Sequence, residues 1–453
     1  MGLIKKQFQE DPRYQTAKKA LLELYTEYQH KIDGIKPAQS NLKCDYDKIV
    51  QEFESSRGIK LWYPYVGSGF GKGAYVELLD GSVKLDFISG IGAHFEHGNT
   101  AIISAMIDAA FEDKVMQGNL QQNMVAKELS SLLLKSSGFD HVFLSTSGAM
   151  ACENALKIIF QKKSPARRIL AFEHCFMGRT HLLAQITDKP ELRKGLPSTT
   201  FVDYLPFYDP LHPKESIEKA LSLMKTYIKR YPNDYAVFCL ELVQGEGGIN
   251  VGSRDFFLPL IELAKAHNIA IFVDEVQTFG RTENLFAYQY FDLFPYIDVV
   301  SIGKLSQIAA TLFKSSFKPL PNLLSQTFIG STSALYGSFV IIKSLLSDNY
   351  LGPSGKIKHL HTYFLKHFER LHKIYPDKIE GPYGLGGLIA FTPFKGDKEQ
   401  VTLFAHKLFS LGLIIFLTGE NPSRIRMLPP IGNTSEKDID QAFTIIEEAL
   451  KQI

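Results

Sequence analysis

Residues 269–275 read IAIFVDE and residues 297–304 read IDVVSIGK. Each is a short apolar run rich in β-branched residues. Each stops on charge: Asp274-Glu275 in the first, Lys304 in the second. That length and composition predict buried strands rather than helices. Outward from this pair the same rhythm repeats in HVFLST (141–146), RILAFE (168–173) and YAVFCLELVQ (235–244). Amphipathic helical patterns lie between such runs, as in ACENALKIIFQKK (151–163) and FFLPLIELAKAHN (256–268). Strands alternating with helices predict an α/β fold with a mostly parallel sheet. Ligands of such sheets sit at the carboxyl ends of the strands. Asp274 and Lys304 are therefore expected at one sheet edge, on neighbouring strands.

The flanks read differently. Residues 14–32 repeat apolar groups at helical spacing, and 71–87 alternate around Asp80-Gly81, a hairpin signal. From about 345 the chain runs helix, glycine-rich strand pair, helix, RIRMLPPIG, helix, which predicts a smaller α+β domain. The expected division is an N-terminal helix and hairpin segment (1–85), a large α/β domain (86–344) and a small C-terminal domain (345–453). A chain of 453 residues exceeds one ordinary core.

Composition narrows the class. Lys plus Arg is 50 and Asp plus Glu is 48, so the net charge of +2 gives no pull toward nucleic acid or an anionic membrane. The four cysteines, Cys44, Cys152, Cys175 and Cys239, fit neither a zinc pattern nor a disulfide framework, and no metal site is expected. No apolar run reaches the ~18 residues of a membrane helix. The Met1-Gly2 start has Lys6 where a myristoylation signal needs Ser or Thr, and no signal-peptide pattern follows. The expected location is cytoplasmic.

Taken singly, Asp274 is most simply a turn or N-cap residue and Lys304 a solvated strand end. Together they bring an acid and an amine to one edge, which is what pyridoxal 5'-phosphate requires. Its aldehyde needs a lysine, and its ring nitrogen needs a carboxylate. Its phosphate needs backbone N–H groups at a helix start. STSGAMACENALK (145–157) follows a strand and opens a helix, with small Ser147, Gly148 and Ala149 at the turn.

The stretch ELVQGEGGINVGSRDFFLPLIELAKAHNIAIFVDEVQTFGRTENLFAYQY (241–290) resembles the centre of class III, fold type I aminotransferases. STSGAMACENALK, FMGRT (176–180), IGKLSQ (302–307), GKGAYVELLDGSVKLDFISGIG (71–92) and RIRMLPP (424–430) are similar to further landmarks of that family, in order. The resemblance implies a fold type I pyridoxal-phosphate transferase. It implies that Lys304 carries the cofactor and shuttles the proton, and that Asp274 pairs with the ring nitrogen. It implies Phe176 and Val276 on the two ring faces, Gln277 on the ring hydroxyl, and Ser147, Gly148 and Ala149 on the phosphate. Thr332 would reach the phosphate of a partner subunit, in a homodimer with shared sites. Arg179 and Arg426 would bind carboxylates, with Glu246 pairing Arg426 when an amine donor is bound, and Ile91 would form part of the pocket wall. A threonine in a loop or arginines in structural ion pairs remain the plain alternatives.

Departures are visible. Met150 replaces a usual Glu, Met177 a common His and Leu242 a usual Pro; HFEHGN (94–99) differs from the family's GHxHP. IGKLSQIAAT lacks the glycines that commonly follow GK, and its GKLSQ most resembles the lysine 6-aminotransferase branch. The expected reaction moves an amino group from a terminal amine to a 2-oxo acid such as 2-oxoglutarate. An aminomutase of the glutamate-1-semialdehyde type, or a non-catalytic cofactor-binding scaffold, are the competing readings.

Overall fold

The computed structural model describes residues 3–113 and 119–452. The Met1-Gly2 start lies outside them. At the centre is a seven-stranded sheet. Its strands, in spatial order, are His141–Ser145, Ala309–Phe313, Val299–Ile302, Ala270–Glu275, Tyr235–Leu240, Arg168–Phe172 and Phe201–Leu205. Pairing is parallel except at Ala309–Phe313, which runs antiparallel to both neighbours. Sequence reading did not single out that strand or Phe201–Leu205.

The Ala270–Glu275 strand is the middle of the seven and is buried along its whole length. A strand covered on both faces must be apolar at every position, which is why AIFV reads as a continuous run and not an alternation. The helix Gly148–Lys163 buries Ala151, Cys152, Ala155, Leu156, Ile158 and Ile159 in a core shared with Ile169, Val237, Phe272 and Val299. The helix Arg254–Ala266 buries Phe256, Phe257, Leu260 and Ile261 in a second core with Phe172, Phe238 and Val273. Each such aliphatic or aromatic side chain contributes roughly 1.5–3 kcal/mol on burial. The sheet is thus clamped between two layers, and only its strand ends are left for chemistry.

The C-terminal part builds an antiparallel sheet from Ile379–Leu385, Leu388–Pro393, Arg424–Met427 and Phe416–Thr418. The helices Lys356–Ile374, Lys398–Leu411 and Glu436–Gln452 supply its core through Phe364, Phe368, Phe404 and Phe443. At the N-terminal side the helix Pro12–Gln29 and the antiparallel pair Tyr75–Leu78 and Val83–Asp86 form as expected, preceded by Gly67–Lys72. Val83–Asp86 also pairs in parallel with Leu413–Ile414, so the two ends of the chain share one sheet. Among the described residues, no helix is long and apolar enough to cross a membrane.

Arg281 ties these parts together. It is fully buried, and its guanidinium donates to the carbonyls of Gly92, Gly387 and Pro429 and to Ser89 Oγ. All four acceptors are neutral, and burial pushes its pKa down to about 9.

Candidate active site

Parallel register sets Asp274 beside Ser301 and Glu275 beside Ile302. Two residues further on, Lys304 opens a single turn, Lys304–Ser306. The chain ends of these strands, the helix start at Gly148 and the 176–179 loop enclose a cavity of about 310 Å³. Its lining includes Gly148, Ala149, Phe176, Arg179, Glu246, Asp274, Val276, Gln277 and Lys304. Nine residues singled out in the sequence, spread over more than 150 positions, thus share one wall.

The electrostatics follow from burial. Lys304 is enclosed, and desolvation together with the nearby Arg426 charge lowers its pKa to about 8, against the pull of Glu246, Asp274 and Glu241. Burial raises the Asp274 pKa, opposed by hydrogen bonds from Val276 N–H, Cys152 and Ser301 and by the Lys304 charge. Val276 N donates to Asp274 Oδ1 at 2.8 Å, so the residue flanking the cavity also fixes the acid. Burial pushes Glu246 up, but the Arg426 guanidinium, with Lys304, holds it below the ordinary range. Arg426 Nη2 lies 2.6 Å from Glu246 Oε1, and Arg426 is only 1% exposed. The strand Arg424–Met427 carries that arginine, and its Nη1 also donates to the Gly245 carbonyl at 3.3 Å. Thr418 Oγ1 donates to the same carbonyl at 2.7 Å, so the small C-terminal sheet grips the loop that bears Glu246.

The class-III aminotransferase family model matches residues 68–450. This chain belongs to the class-III aminotransferases. An acetylornithine aminotransferase from Clostridium acetobutylicum is 29% identical over 431 residues, 91% of this chain and 100% of the relative. One from Aquifex aeolicus is 28% identical over 393 residues, 84% of this chain and 96% of the relative. Among solved structures, lysine aminotransferase from M. tuberculosis in the internal aldimine form superposes with a TM-score of 0.78 at 21% identity, covering 89% of this chain and 99% of that one. A Bacillus anthracis aminotransferase reaches 0.80 at 19% identity, with 90% and 99% covered.

Class-III aminotransferases are pyridoxal-phosphate enzymes, and the cavity fits that cofactor. Gln277 Oε1 is buried without a partner, an orphan that a ring hydroxyl would satisfy. The first turn of the helix at Gly148 presents N–H groups that its own backbone cannot satisfy, the usual cradle for a phosphate. A Cβ on Gly148 would sit 2.6 Å from Val276 Cγ1, so only glycine allows the helix start to approach Val276 this closely. Asp274 is a buried acid that lines the same cavity as Lys304, and a ring cation would offset its burial.

Four expected residues stand apart from the lining; Arg426 is one, paired to the lining residue Glu246. Ser147 is exposed and serves as the helix N-cap, its Oγ accepting from Met150 N at 3.3 Å. Ile91 lies in a turn with φ 60° and packs on the large core. Thr332 is buried at the start of the helix Thr332–Ser347, with its Oγ1 donating to the Asp113 carbonyl at 2.7 Å. Sequence reading missed others. Cys152, Glu241, Val243 and Thr278 line the cavity, and Glu241 accepts from Phe176 N at 2.8 Å and Gly245 N at 3.2 Å. It thereby fastens the Phe176 loop to the Glu246 loop, while burial pushes its pKa up to about 8.

The departure after Lys304 also has a structural form. Lys304 and Gln307 both adopt left-handed backbone, with φ of 52° and 60°. A glycine would take that conformation without strain, whereas other residues lose about 1–2 kcal/mol each. Gln307 Nε2 donates to the Ala93 carbonyl at 2.6 Å, which ties the lysine turn to the segment next to Ile91.

Proposed function

We propose that this aminotransferase takes nitrogen from a donor with a terminal amine and delivers it to a 2-oxo acid such as 2-oxoglutarate, in a cytoplasmic homodimer. The Glu246–Arg426 pair beside Lys304 carries the reading. An arginine already neutralised by a carboxylate repels no amine-bearing donor. The same arginine, released from Glu246, offers a bidentate fork for the carboxylate of an oxo acid. The relatives' names support the class of donor, since acetylornithine and lysine both carry an amine at the far end of a carbon chain.

In this reading Lys304 holds the cofactor and moves the proton between the donor carbon that bears the amine and the cofactor. Its lowered pKa leaves much of the amine neutral near pH 8, as a base requires. Asp274 holds the ring nitrogen, and Phe176 and Val276 cover the ring faces. Gln277 takes the ring hydroxyl, and Gly148 and Ala149 turn their backbone toward the phosphate, beside the Ser147 cap. When bound, pyridoxal phosphate supplies an aldehyde for the amine and a protonated ring that draws electrons from the donor carbon. Arg179, exposed at the rim with its guanidinium 5.9 Å from the Phe176 ring, takes the donor's distal carboxylate. Thr332, outside its own chain's cavity lining, is assigned to the shared site of the dimer, and Ile91 to the pocket wall.

Lysine, ornithine, acetylornithine, 4-aminobutyrate and β-alanine, each incubated with 2-oxoglutarate, test the reading by glutamate formation. At least one terminal amine should yield glutamate stoichiometrically. No glutamate from any of them would sink it. Light scattering of the purified enzyme at twice the chain mass is the expected result for the homodimer.

A further inference from the structure

We propose that Cys152 and Ser301 are positioning residues for Asp274, which together decide which carboxylate oxygen meets the cofactor ring and keep that oxygen rich in charge. The inference rests on the assignment of Asp274 to the ring nitrogen.

The geometry is a closed set. Asp274 Oδ1 accepts from Val276 N at 2.8 Å and from Ser301 Oγ at 3.1 Å. Asp274 Oδ2 accepts from Cys152 Sγ at 3.3 Å. Cys152 Sγ and Ser301 Oγ are themselves 3.3 Å apart. An ionised carboxylate has about four acceptor sites, two on each oxygen. Both sites of Oδ1 are taken. One site of Oδ2 is left, so a ring N–H entering the cavity meets Oδ2, the oxygen it would share with Cys152.

The identity of that sharing donor matters. A thiol is a weak donor, and it draws little charge from the oxygen it touches. A hydroxyl at the same place would compete with the ring N–H on more equal terms. Burial and the Asp274 charge both keep the thiol protonated, and so a donor.

Cys152 also packs in the core of its helix, whereas packing does not account for Ser301. Cys152 lines the cavity with its thiol 3.3 Å from Asp274 Oδ2. Ser301 is fully buried in a strand whose other members are Val299, Val300 and Ile302. A buried hydroxyl among aliphatic neighbours is unfavourable unless bonded, and its bond goes to Asp274.

Two measurements on the full-length protein test the proposal. The first needs no cofactor: the infrared S–H stretching band of the apoprotein, isolated by subtracting the spectrum of Cys152→Ala or Cys152→Ser. A band at the lower wavenumber of a hydrogen-bonded thiol is expected, and one at the position of a free thiol would overturn the proposal. Either variant serves if the other fails to fold. The second is the pH midpoint of the visible band of the holoenzyme. A ring that keeps its proton places positive charge beside the Lys304 nitrogen and lowers that midpoint. Cys152→Ser should therefore raise it, and Cys152→Ala lower it, by about half a pH unit each. Both variants lose similar volume, so shifts in the same direction, or none, would mean packing only. Ser301→Ala should weaken cofactor retention about fivefold, and unchanged retention would remove Ser301 from the proposal. Asp274→Asn separates the two levels: if it leaves the midpoint unmoved, the assignment of Asp274 itself falls, whatever the thiol band shows.

Discussion

Arg426 and Glu246 meet at 2.6 Å, and the arginine is the more deeply buried partner by far, at 1% exposure against 21%. The asymmetry means that Glu246 is the member free to move, while the strand fixes Arg426. Arg426→Ala should therefore raise the KM for the oxo acid by about two orders of magnitude, the loss of a bidentate charge pair. The first half-reaction with a terminal amine should keep most of its rate, since Glu246 is then unpaired but still reaches solvent at 21% exposure. Stopped-flow measurement of the two half-reactions separates these outcomes.

Glu246→Ala should act in the opposite sense. It leaves a buried arginine without its counter-charge, which costs about 3–5 kcal/mol of stability. Urea unfolding should record that loss, and the amine half-reaction should slow because Arg426 now stands bare in front of the donor.

Gly148→Ala should lower cofactor affinity at least about tenfold, because its Cβ would lie 2.6 Å and 2.8 Å from the two Val276 methyls. Ser147→Ala removes only the cap bond to Met150 N and should lower thermal stability slightly, by about 1 kcal/mol. Equilibrium dialysis of pyridoxal phosphate against both variants makes the comparison.

The apoprotein should show two pH signatures. Lys304 titrates at about 8, below its ordinary 10.5, so the neutral amine appears as pH rises through about 8, and the rate of cofactor uptake should rise with it. Glu241 has its folded pKa raised from 4.5 to about 8. The folded chain then holds a proton that the unfolded chain releases. The stabilising contribution is complete below about 4.5 and is lost as pH climbs to about 8. Melting temperature should decline over that window, and Glu241→Gln should flatten the decline.

Much of this was legible from residues alone, and the limits have physical causes. The strands Ala270–Glu275 and Val299–Ile302 announced themselves because a doubly covered strand is largely apolar, and the charge that follows, at Asp274-Glu275 and Lys304, falls at the ligand edge. The antiparallel strand Ala309–Phe313 did not, because its apolar run follows the lysine turn with no glycine to mark the break. Cys152 and Ser301 read as helix and strand filler, since their meaning lies in what faces them across the sheet. Glu241 was hidden within YAVFCLELVQ, where the strand stops one residue earlier, at Leu240. Thr332 was located by motif, and motif position does not fix on which side of a chain boundary a side chain serves.

The carbonyls that receive Arg281 come from residues 92, 387 and 429. A ribosome delivers the arginine almost 150 residues before the last of them. Until Gly387 and Pro429 are in place, the guanidinium cannot be enclosed without losing a partner. Closure of the segment after Asp274 is thereby coupled to docking of the C-terminal part. A chain cut short before Gly387 would carry every cavity-lining residue and still lack those two partners of Arg281.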